Sequence, residues 1–226
     1  MCGRFTLKTP AATISTLFPA INVPSLKPRY NIAPTQMVTC VRMDSGREFD
    51  VVSLKWGLIP FWSKDTKLAA KMINARSETV SEKPAFRNAY KKRRCLVVAD
   101  GYYEWKKLNG AKQPFYFTPT QESDAFCMAG LWEKWDDKST GESVESCTVL
   151  TTDANTKLSE FHHRMPVVIE PDDFEFWLDH EFQSEKKLES LFAPKPESFF
   201  QVRPVSPKVN HVKNDSDECI REIELN

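Results

Sequence analysis

The stretch from residue 94 to residue 152 constrains the fold more than any other part of the chain. It contains five apolar, strand-like runs separated by short polar segments: RCLVVAD, YYEWKK, QPFYFTP, AFCMAGLWEKW and VESCTVLTT. One turn is Asn109-Gly110, which is a strong hairpin signal, and another is DDKSTGE. Consecutive strands joined by short turns usually pair as neighbours, so this stretch predicts an antiparallel sheet.

Further strands and short helices flank this block. Strands are predicted for MVTCVRM and EFDVVSL, which form a hairpin, and for RMPVVI and FFQVRPVS. Short helices are predicted after Thr9-Pro10, from Pro84, after Asp153 as the cap, from Pro171 and over EKKLESLF, whereas INVPSLKPRYNIAPTQ is predicted to be irregular. We therefore expect an α+β fold, with a largely antiparallel curled sheet or barrel-like β core and short peripheral helices.

Length and composition restrict the class of protein. The 226 residues contain no repeat and no long linker, so we expect one domain over residues 1–226. No run approaches the roughly 18–20 apolar residues that a membrane span requires, and the first twenty residues lack the pattern of a secretion signal. We expect a cytoplasmic, monomeric protein that does not bind a membrane.

The cysteines and the charges add two expectations. The six cysteines form no C-x-x-C pair, so we read four of them as small buried hydrophobes and expect no metal and no other cofactor: Cys40, Cys95, Cys127 and Cys147. Residues 1–113 carry 20 Lys and Arg against 8 Asp and Glu, whereas residues 114–226 carry 11 against 23. This polarity allows a basic face for nucleic acid, and it equally allows two halves that interleave and pair their charges.

Cys2 is the first candidate functional residue. Removal of Met1 would leave an α-amine and a thiol on adjacent carbons, with reference pKa values of about 7.7–8.0 and about 8.5. Such a pair condenses with an aldehyde to an imine and then closes to a five-membered thiazolidine. The alternatives are attack of the thiol on an amide carbonyl, with the α-amine as base, and an incidental cysteine near a frayed end.

Three polar clusters lie in apolar or aromatic surroundings. They are INARSET with Asn74, Arg76 and Glu78, ADGYYEW with Asp100 and Glu104, and FHHRMP with His162, His163 and Arg164. Strand alternation could send Glu104 to either face, and an inward position would raise its pKa toward a useful acid–base range. Adjacent histidines point to opposite sides, so at most one of them serves a given site.

Taken together, these segments resemble the SOS response-associated peptidase family of abasic-site processing proteins over the whole chain. The matching segments in order are MCGRF, RYNIAPTQ, WGLIPFW, INARSET, the Arg93–Leu96 strand entry, ADGYYEW, QPFYF, AGLW, TTDAN, HHRMPVVI and VNHVKND. The resemblance implies a protein that binds single-stranded DNA at abasic sites and crosslinks to the ring-opened sugar, which is an aldehyde. The adduct would shield a lesion that otherwise breaks the strand.

The resemblance also implies roles for individual residues. Cys2 would be the crosslinking nucleophile and Asn74 would orient the sugar. Glu104 would move protons during Met1 removal, imine formation and reversal, and His162 would help to open the sugar ring. Arg4, Arg76 and Arg164 would contact phosphates, and Trp62 in WGLIPFW would stack on bases. Since Arg4 and Arg76 lie in the basic half, the resemblance favours a real basic groove over two halves that interleave and pair their charges. The enzymatic activity would then be cleavage of the Met1–Cys2 bond and crosslinking, while β-elimination, a lyase reaction, stays open as a competitor.

Three other functions remain open at this stage. A glutamine amidotransferase with an N-terminal cysteine also begins Met-Cys-Gly, although Arg4-Phe5 depart from its usual continuation. A non-enzymatic single-stranded DNA binding protein would need only the aromatic loops and the basic half. A protease acting on other proteins is the third.

Overall fold

The computed structural model describes residues 2–18, 21, 23–120, 125–181 and 184–225. The strands of this part of the chain are β1 (Phe5–Leu7), β2 (Arg29–Ile32), β3 (Met37–Met43), β4 (Phe49–Trp56), β5 (Asn74–Arg76), β6 (Arg94–Ala99), β7 (Gly101–Leu108), β8 (Ala111–Pro119), β9 (Phe126–Asp136), β10 (Ser143–Asp153), β11 (Arg164–Pro166), β12 (Val168–Ile169) and β13 (Phe200–Pro204). Its helices are α1 (Ala11–Leu17), α2 (Arg87–Lys92), α3 (Thr156–Ser159), α4 (Phe174–Leu178) and α5 (Glu185–Ser190). No described helix is both long enough and apolar enough to cross a membrane.

Five strands close into a small barrel. Their order around the ring is β10, β4, β3, β6 and β9, and the pairing of β9 with β10 completes it. The β10–β4 contact is parallel, and the other four contacts are antiparallel. Every residue of β6 is buried. This strand pairs with β3 on one side and with β9 on the other. The short strands β5, β11 and β12 extend the barrel at β10 and β9.

A second sheet carries the N-terminal strand. Its order is β13, β8, β7, β1 and β2, and each neighbouring pair is antiparallel. In this sheet Thr6 pairs with Gly101. A Cβ atom at Gly101 would lie 2.4 Å from the ring of Tyr116, so this close approach requires glycine. The short β1 is held between β2 and β7, which brings the chain start into the interior.

The predicted α+β fold with a curled, barrel-like and largely antiparallel core is confirmed. The hairpin at Asn109-Gly110 is also confirmed, since both residues have positive φ values of 48° and 84°. Two predictions on local structure were wrong. The segment predicted as irregular contains β2, and the cap of α3 is Asn155, whose side chain accepts from Leu158 N, because Asp153 still belongs to β10.

Candidate functional site

Cys2 is fully buried at the start of the chain. Cys2 lies just before β1. The backbone N–H of Tyr103 in β7 donates to the carbonyl of Arg4 at 3.0 Å, which fixes the segment between Cys2 and β1. Burial, followed by the neighbouring negative charge of Glu104, raises the pKa of the Cys2 thiol to about 12. At neutral pH the thiol is therefore protonated, and it needs a base to become a nucleophile.

Asp100 anchors β1, the strand that follows Cys2. Its buried carboxylate accepts from Thr9 N at 2.7 Å and from Thr9 Oγ1 at 2.9 Å, and it also accepts from Lys8 N and Thr6 Oγ1. These four donors belong to the end of β1 and the residues just after it. Asp100 therefore holds the path of the N-terminal segment and is part of its structural support.

Asn74 contacts the main chain of Cys2. It begins β5, which pairs in parallel with β10 through Val149, and its Nδ2 donates to the carbonyl of Cys2 at 2.9 Å. The Oδ1 atom is buried, and it accepts no hydrogen bond from any described residue. Buried polar atoms are normally satisfied, so Oδ1 is an acceptor whose partner is not among the described residues.

Glu104 points into the molecule from β7. Glu104 lies between Tyr103 and Trp105 and is only 6% exposed. Of the two directions that the sequence left open, its side chain therefore takes the inward one. Burial raises the pKa of Glu104 to about 7. A carboxyl group with this pKa can exchange a proton in either direction near neutrality, and the pKa of Cys2 responds to its charge.

His162 and Glu104 line the same cavity of about 380 Å³. The imidazole follows α3, and its Nδ1 accepts a hydrogen bond from the backbone N–H of Arg164 at 3.0 Å. Burial lowers the pKa of His162 to about 4, so the ring is neutral near pH 7. Because Nδ1 is an acceptor, the neutral ring carries its proton on Nε2.

Arg4 forms another wall of this cavity with a fixed side chain. Its Nη1 donates to Asn31 Oδ1 at 2.6 Å and to the carbonyl of Val209 at 2.8 Å, and the guanidinium lies over Trp105 at 5.9 Å from the ring centroid. The lining residues of the cavity are Arg4, Glu104, Trp105, Lys112, His162 and Asn210. Cys2 and Asn74 are not among them, although the charge of Glu104 acts on the Cys2 thiol.

The guanidinium of Arg164 is engaged by two carboxylates. Its guanidinium makes two parallel bonds of 2.8 Å to the carboxylate of Glu78 and a bond of 2.6 Å to Asp153, and it also donates to the carbonyl of Thr151. The residue is only 6% exposed. In place of the phosphate contact expected from the sequence, Arg164 forms ion pairs with two exposed carboxylates, Glu78 and Asp153, and its backbone amide orients His162.

Arg76 and Trp62 lie outside the cavity. Arg76 ends β5, two residues beyond Asn74, and its side chain is exposed. Trp62 is 51% exposed in the loop after β4, and it lines a different cavity together with residues of α2. The structure thus brings Cys2, Asn74, Glu104, His162 and Arg4 to one region, while Arg76 and Trp62 lie on the surface around it.

The cysteines form no disulfide within the described residues. All six thiols are free and buried, and Cys40 Sγ lies 4.0 Å from Cys147 Sγ in the barrel. The described part of the chain also contains no group of three or more His, Cys, Asp or Glu side chains that could hold a metal ion.

Comparison with known proteins gives the family. The family model of the SOS response associated peptidases (SRAP) matches residues 1–212. The chain belongs to the SRAP family. This membership agrees with the resemblance found in the sequence.

Two relatives and one solved structure show what this chain is similar to. The abasic site processing protein YoaM of Bacillus subtilis is 38% identical over 226 residues, which cover 97% of both chains. The abasic site processing protein HMCES of Gallus gallus is 34% identical over 197 residues, which cover 77% of this chain and 58% of that protein. The protein in a crystal structure from Bacteroides thetaiotaomicron is 27% identical in sequence, and its fold matches with a TM-score of 0.86. The match covers 98% of this chain and 100% of that chain.

Three residues that line the cavity of Glu104 and His162 were not singled out from the sequence, namely Trp105, Lys112 and Asn210. Trp105 Nε1 donates to Asn210 Oδ1 at 2.7 Å, which joins the ADGYYEW and VNHVKND segments across the cavity wall. Both segments carry the family resemblance, so this was the available signal. Lys112 gave none, since an exposed lysine in a hairpin is ordinary.

Proposed function

We propose that this chain is an abasic-site processing protein that crosslinks to abasic sites in single-stranded DNA through Cys2. The observation that carries the proposal is the buried Cys2 thiol beside a Glu104 carboxyl whose pKa is about 7, with Asn74 bonded to the Cys2 carbonyl. The names of the relatives YoaM and HMCES, both abasic site processing proteins, support the same substrate.

The reaction requires a free α-amine at Cys2, so the Met1–Cys2 bond must be hydrolysed first. Met1 lies outside the described residues, and its removal is an expectation from the chemistry. The α-amine then adds to the aldehyde carbon of the ring-opened sugar, and loss of one water gives the imine. The thiol sulfur adds to the imine carbon, the nitrogen gains a proton, and the product is a thiazolidine.

Glu104 is suited to the proton transfers at this centre. Because its pKa is near 7, the carboxylate can take the proton from the Cys2 thiol, and the acid form can protonate the hydroxyl that leaves as water. The thiol alone is a poor nucleophile here, since burial raises its pKa to about 12. The same group would catalyse the reverse steps.

His162 is suited to opening of the sugar ring. Its neutral ring carries a proton on Nε2, because Nδ1 already accepts from the Arg164 amide. As the bond between the anomeric carbon and the ring oxygen breaks, the anomeric hydroxyl gives its proton to the Glu104 carboxylate and the ring oxygen takes a proton from water. The Nε2–H of His162, which lines the same cavity, can hydrogen-bond to the ring oxygen while negative charge develops there. The Oδ1 of Asn74 can accept from a sugar hydroxyl and fix the position of the reacting carbon.

The DNA strand would be held by cations and an aromatic surface around this centre. Arg4 faces the cavity and Arg76 is exposed beyond Asn74, so both can reach phosphates flanking the abasic sugar. Trp62 offers an exposed ring on which an unpaired base can stack. Arg164 is left out of this set, since its guanidinium is committed to Glu78 and Asp153.

The test is incubation of the protein with an abasic single-stranded oligonucleotide, without a reductant, followed by denaturing electrophoresis. The proposal predicts a heat-stable adduct for the wild type and none for Cys2→Ala, although Cys2→Ala still binds the DNA. An equally stable adduct with Cys2→Ala would reject the thiazolidine. Ammonia release from glutamine would instead indicate an amidotransferase, and binding without any adduct would indicate a simple DNA-binding protein.

A further inference from the structure

Asn31 is a buried residue of β2 whose side chain joins two distant segments of the chain. Its Oδ1 accepts from Arg4 Nη1 at 2.6 Å, and the residue is fully buried. Its Nδ2 donates to three main-chain carbonyls at 3.2, 3.0 and 2.6 Å, namely those of Val209, His211 and Asn214. A guanidinium can only donate and a carbonyl can only accept, so these partners fix the orientation of the amide.

The carbonyls bonded by Asn31 belong to one loop near the end of the chain. We call residues 209–215, with the sequence VNHVKND, the C-terminal loop. Asn214 closes it, because its backbone N–H donates to the His211 carbonyl at 3.0 Å and its Nδ2 donates to the Lys208 carbonyl at 2.8 Å. Asp215 then accepts from the backbone N–H of Asn31 at 2.9 Å. Both the main chain and the side chain of Asn31 therefore hold this loop.

Two residues held by Asn31 line the cavity of about 380 Å³. Arg4 is bonded to the amide directly, and Asn210 lies between two loop residues whose carbonyls accept from it. Asn210 in turn accepts from Trp105 Nε1 at 2.7 Å, and Trp105 lines the same cavity. Asn31 itself is fully buried and does not line the cavity, so it acts on a ligand only through the wall that it supports.

Neutral partners hold the guanidinium of Arg4. Its hydrogen bonds to the Asn31 amide and to the Val209 carbonyl, at 2.6 and 2.8 Å, both use Nη1. Neither acceptor is charged, and no described carboxylate lies within ion-pair distance of Arg4, so its positive charge is fixed in place without being cancelled. A planar cation held in this way loses little freedom when it binds a phosphate.

From these contacts we infer that Asn31 is a positioning residue for binding of the DNA strand. Its amide holds Arg4 ready for a phosphate and keeps the C-terminal loop in place as part of the cavity wall, while Asn31 touches no DNA. Strand binding at Arg4 is thereby coupled to the C-terminal loop through one side chain. This inference rests on the proposed function for the identity of the ligand.

The first test is a double-mutant cycle on binding of unmodified single-stranded oligonucleotides, measured by fluorescence anisotropy. Asn31→Asp keeps the shape of the side chain, but it sets a negative charge against Arg4 and an acceptor against the loop carbonyls. It should weaken binding about tenfold and reduce the slope of log affinity against log salt by about 0.7, as for one lost phosphate contact on a single strand. In the Arg4→Ala background it should weaken binding by about twofold or less and leave the slope unchanged, because Asn31 acts through Arg4.

The matched control for charge is Gln201→Glu. Gln201 is exposed on β13 and does not line the cavity, and this substitution adds the same negative charge. It should leave the affinity within about twofold of the wild type and the salt slope unchanged, since an exposed charge away from the strand is screened.

Hydrogen exchange gives a second test that needs no substitution at Asn31. A saturating oligonucleotide should slow exchange of the backbone amides of the C-terminal loop in the wild type, including those of His211 and Asn214, which donate to main-chain carbonyls. Arg4→Ala, also saturated with oligonucleotide, should lose most of this protection, because the bound strand is then no longer linked to the loop through Asn31.

Three results would overturn the inference. One is that Asn31→Asp binds like Gln201→Glu, another is that it weakens binding equally with and without Arg4, and the third is equal protection of the C-terminal loop in the wild type and in Arg4→Ala. Failure of the wild type to form a Cys2 adduct would reject the covalent part of the proposed function and leave the binding results standing. A wild type that does not bind single strands would reject both.

Discussion

At the scale of single residues, Glu104 gives the sharpest expectation. Glu104→Gln keeps the shape of the side chain but cannot exchange a proton, so it should slow adduct formation about 10²–10⁴-fold. Reversal should slow to a similar extent, since a catalyst acts on both directions of a step. The measurement is the rate of adduct formation and of release, with Glu160→Gln, an exposed carboxylate paired with Lys106, as the control.

The pH dependence of the same reaction follows from the raised pKa of Glu104, which is about 7. Below this pH the carboxyl is protonated and cannot take the thiol proton, so the wild-type rate should rise between about pH 6 and pH 8. The Glu104→Gln variant should lack this inflection. A wild-type inflection that survives unchanged in the variant would assign it to another group.

His162 should act at an earlier step. His162→Ala should slow capture of the closed-ring abasic sugar by about 10²-fold or more, and should slow capture of a simple free aldehyde much less. Its neighbour His163, whose ring stacks on His162 at 4.3 Å, provides the matched control His163→Ala. Equal slowing with both substrates would remove ring opening from the role of His162.

At the scale of elements, the position of Cys2 depends on the anchoring of β1 by Asp100. Asp100→Ala leaves four donors without their acceptor, and it should lower the free energy of unfolding by about 2–4 kcal/mol. It should also speed labelling of Cys2 by a thiol reagent. Asp137→Ala removes an exposed carboxylate that accepts in a hairpin turn, and should cost about 1 kcal/mol or less. Unchanged labelling in Asp100→Ala would show that Cys2 is held in another way.

The sequence predicted the elements whose signals are local. The strands from residue 94 to residue 152 alternate or run apolar between turns with their own chemistry, and Asn109-Gly110 has the positive φ values that its turn requires. It did not predict β1, which has only three residues, or β2, which has four residues of mixed polarity in a Pro-rich stretch. Their strand state comes from pairing with each other and with β7, which is a long-range property.

The same distinction applies to the candidate site. The chemistry of Cys2 can be recognised from the chain itself, whereas the direction of Glu104 cannot, because aromatic residues flank it on both sides. The burial of Arg164 depends on Glu78, which is 86 residues away. Its expected phosphate contact rested on the family resemblance and the residue type, and only the folded chain reveals its carboxylate partners.

At the scale of the whole molecule, the opposite charges of the two halves are partly paired. Five cations of residues 1–113 form ion pairs with acidic residues of 114–226, namely Arg29, Arg42, Arg47, Arg93 and Lys106. These are five of the 20 Lys and Arg residues of the first half, so the interleaved arrangement accounts for part of the charge polarity. The proposed DNA contacts then fall to cations around the Cys2 region, such as the exposed Arg76.

The affinity for single strands should accordingly fall as salt rises, because phosphate contacts release counterions. Arg76→Ala should weaken binding about equally for all base sequences and flatten the salt slope by roughly one unit or less. Lys27→Ala serves as the control, because Lys27 is exposed and does not line the cavity of Glu104 and His162. An affinity that does not depend on salt would contradict phosphate binding by these arginines.

Covalent capture of the abasic site by Cys2 can be tested by intact mass spectrometry after incubation with an abasic oligonucleotide. We expect a wild-type species that lacks Met1 and has the mass of protein plus DNA minus one water. Because a thiazolidine has no C=N bond, borohydride should leave this mass unchanged. Cys2→Ala should give an adduct only when borohydride is present, with two hydrogen atoms added to an imine. A wild-type adduct that retains Met1, or that gains two hydrogen atoms with borohydride, would contradict the account.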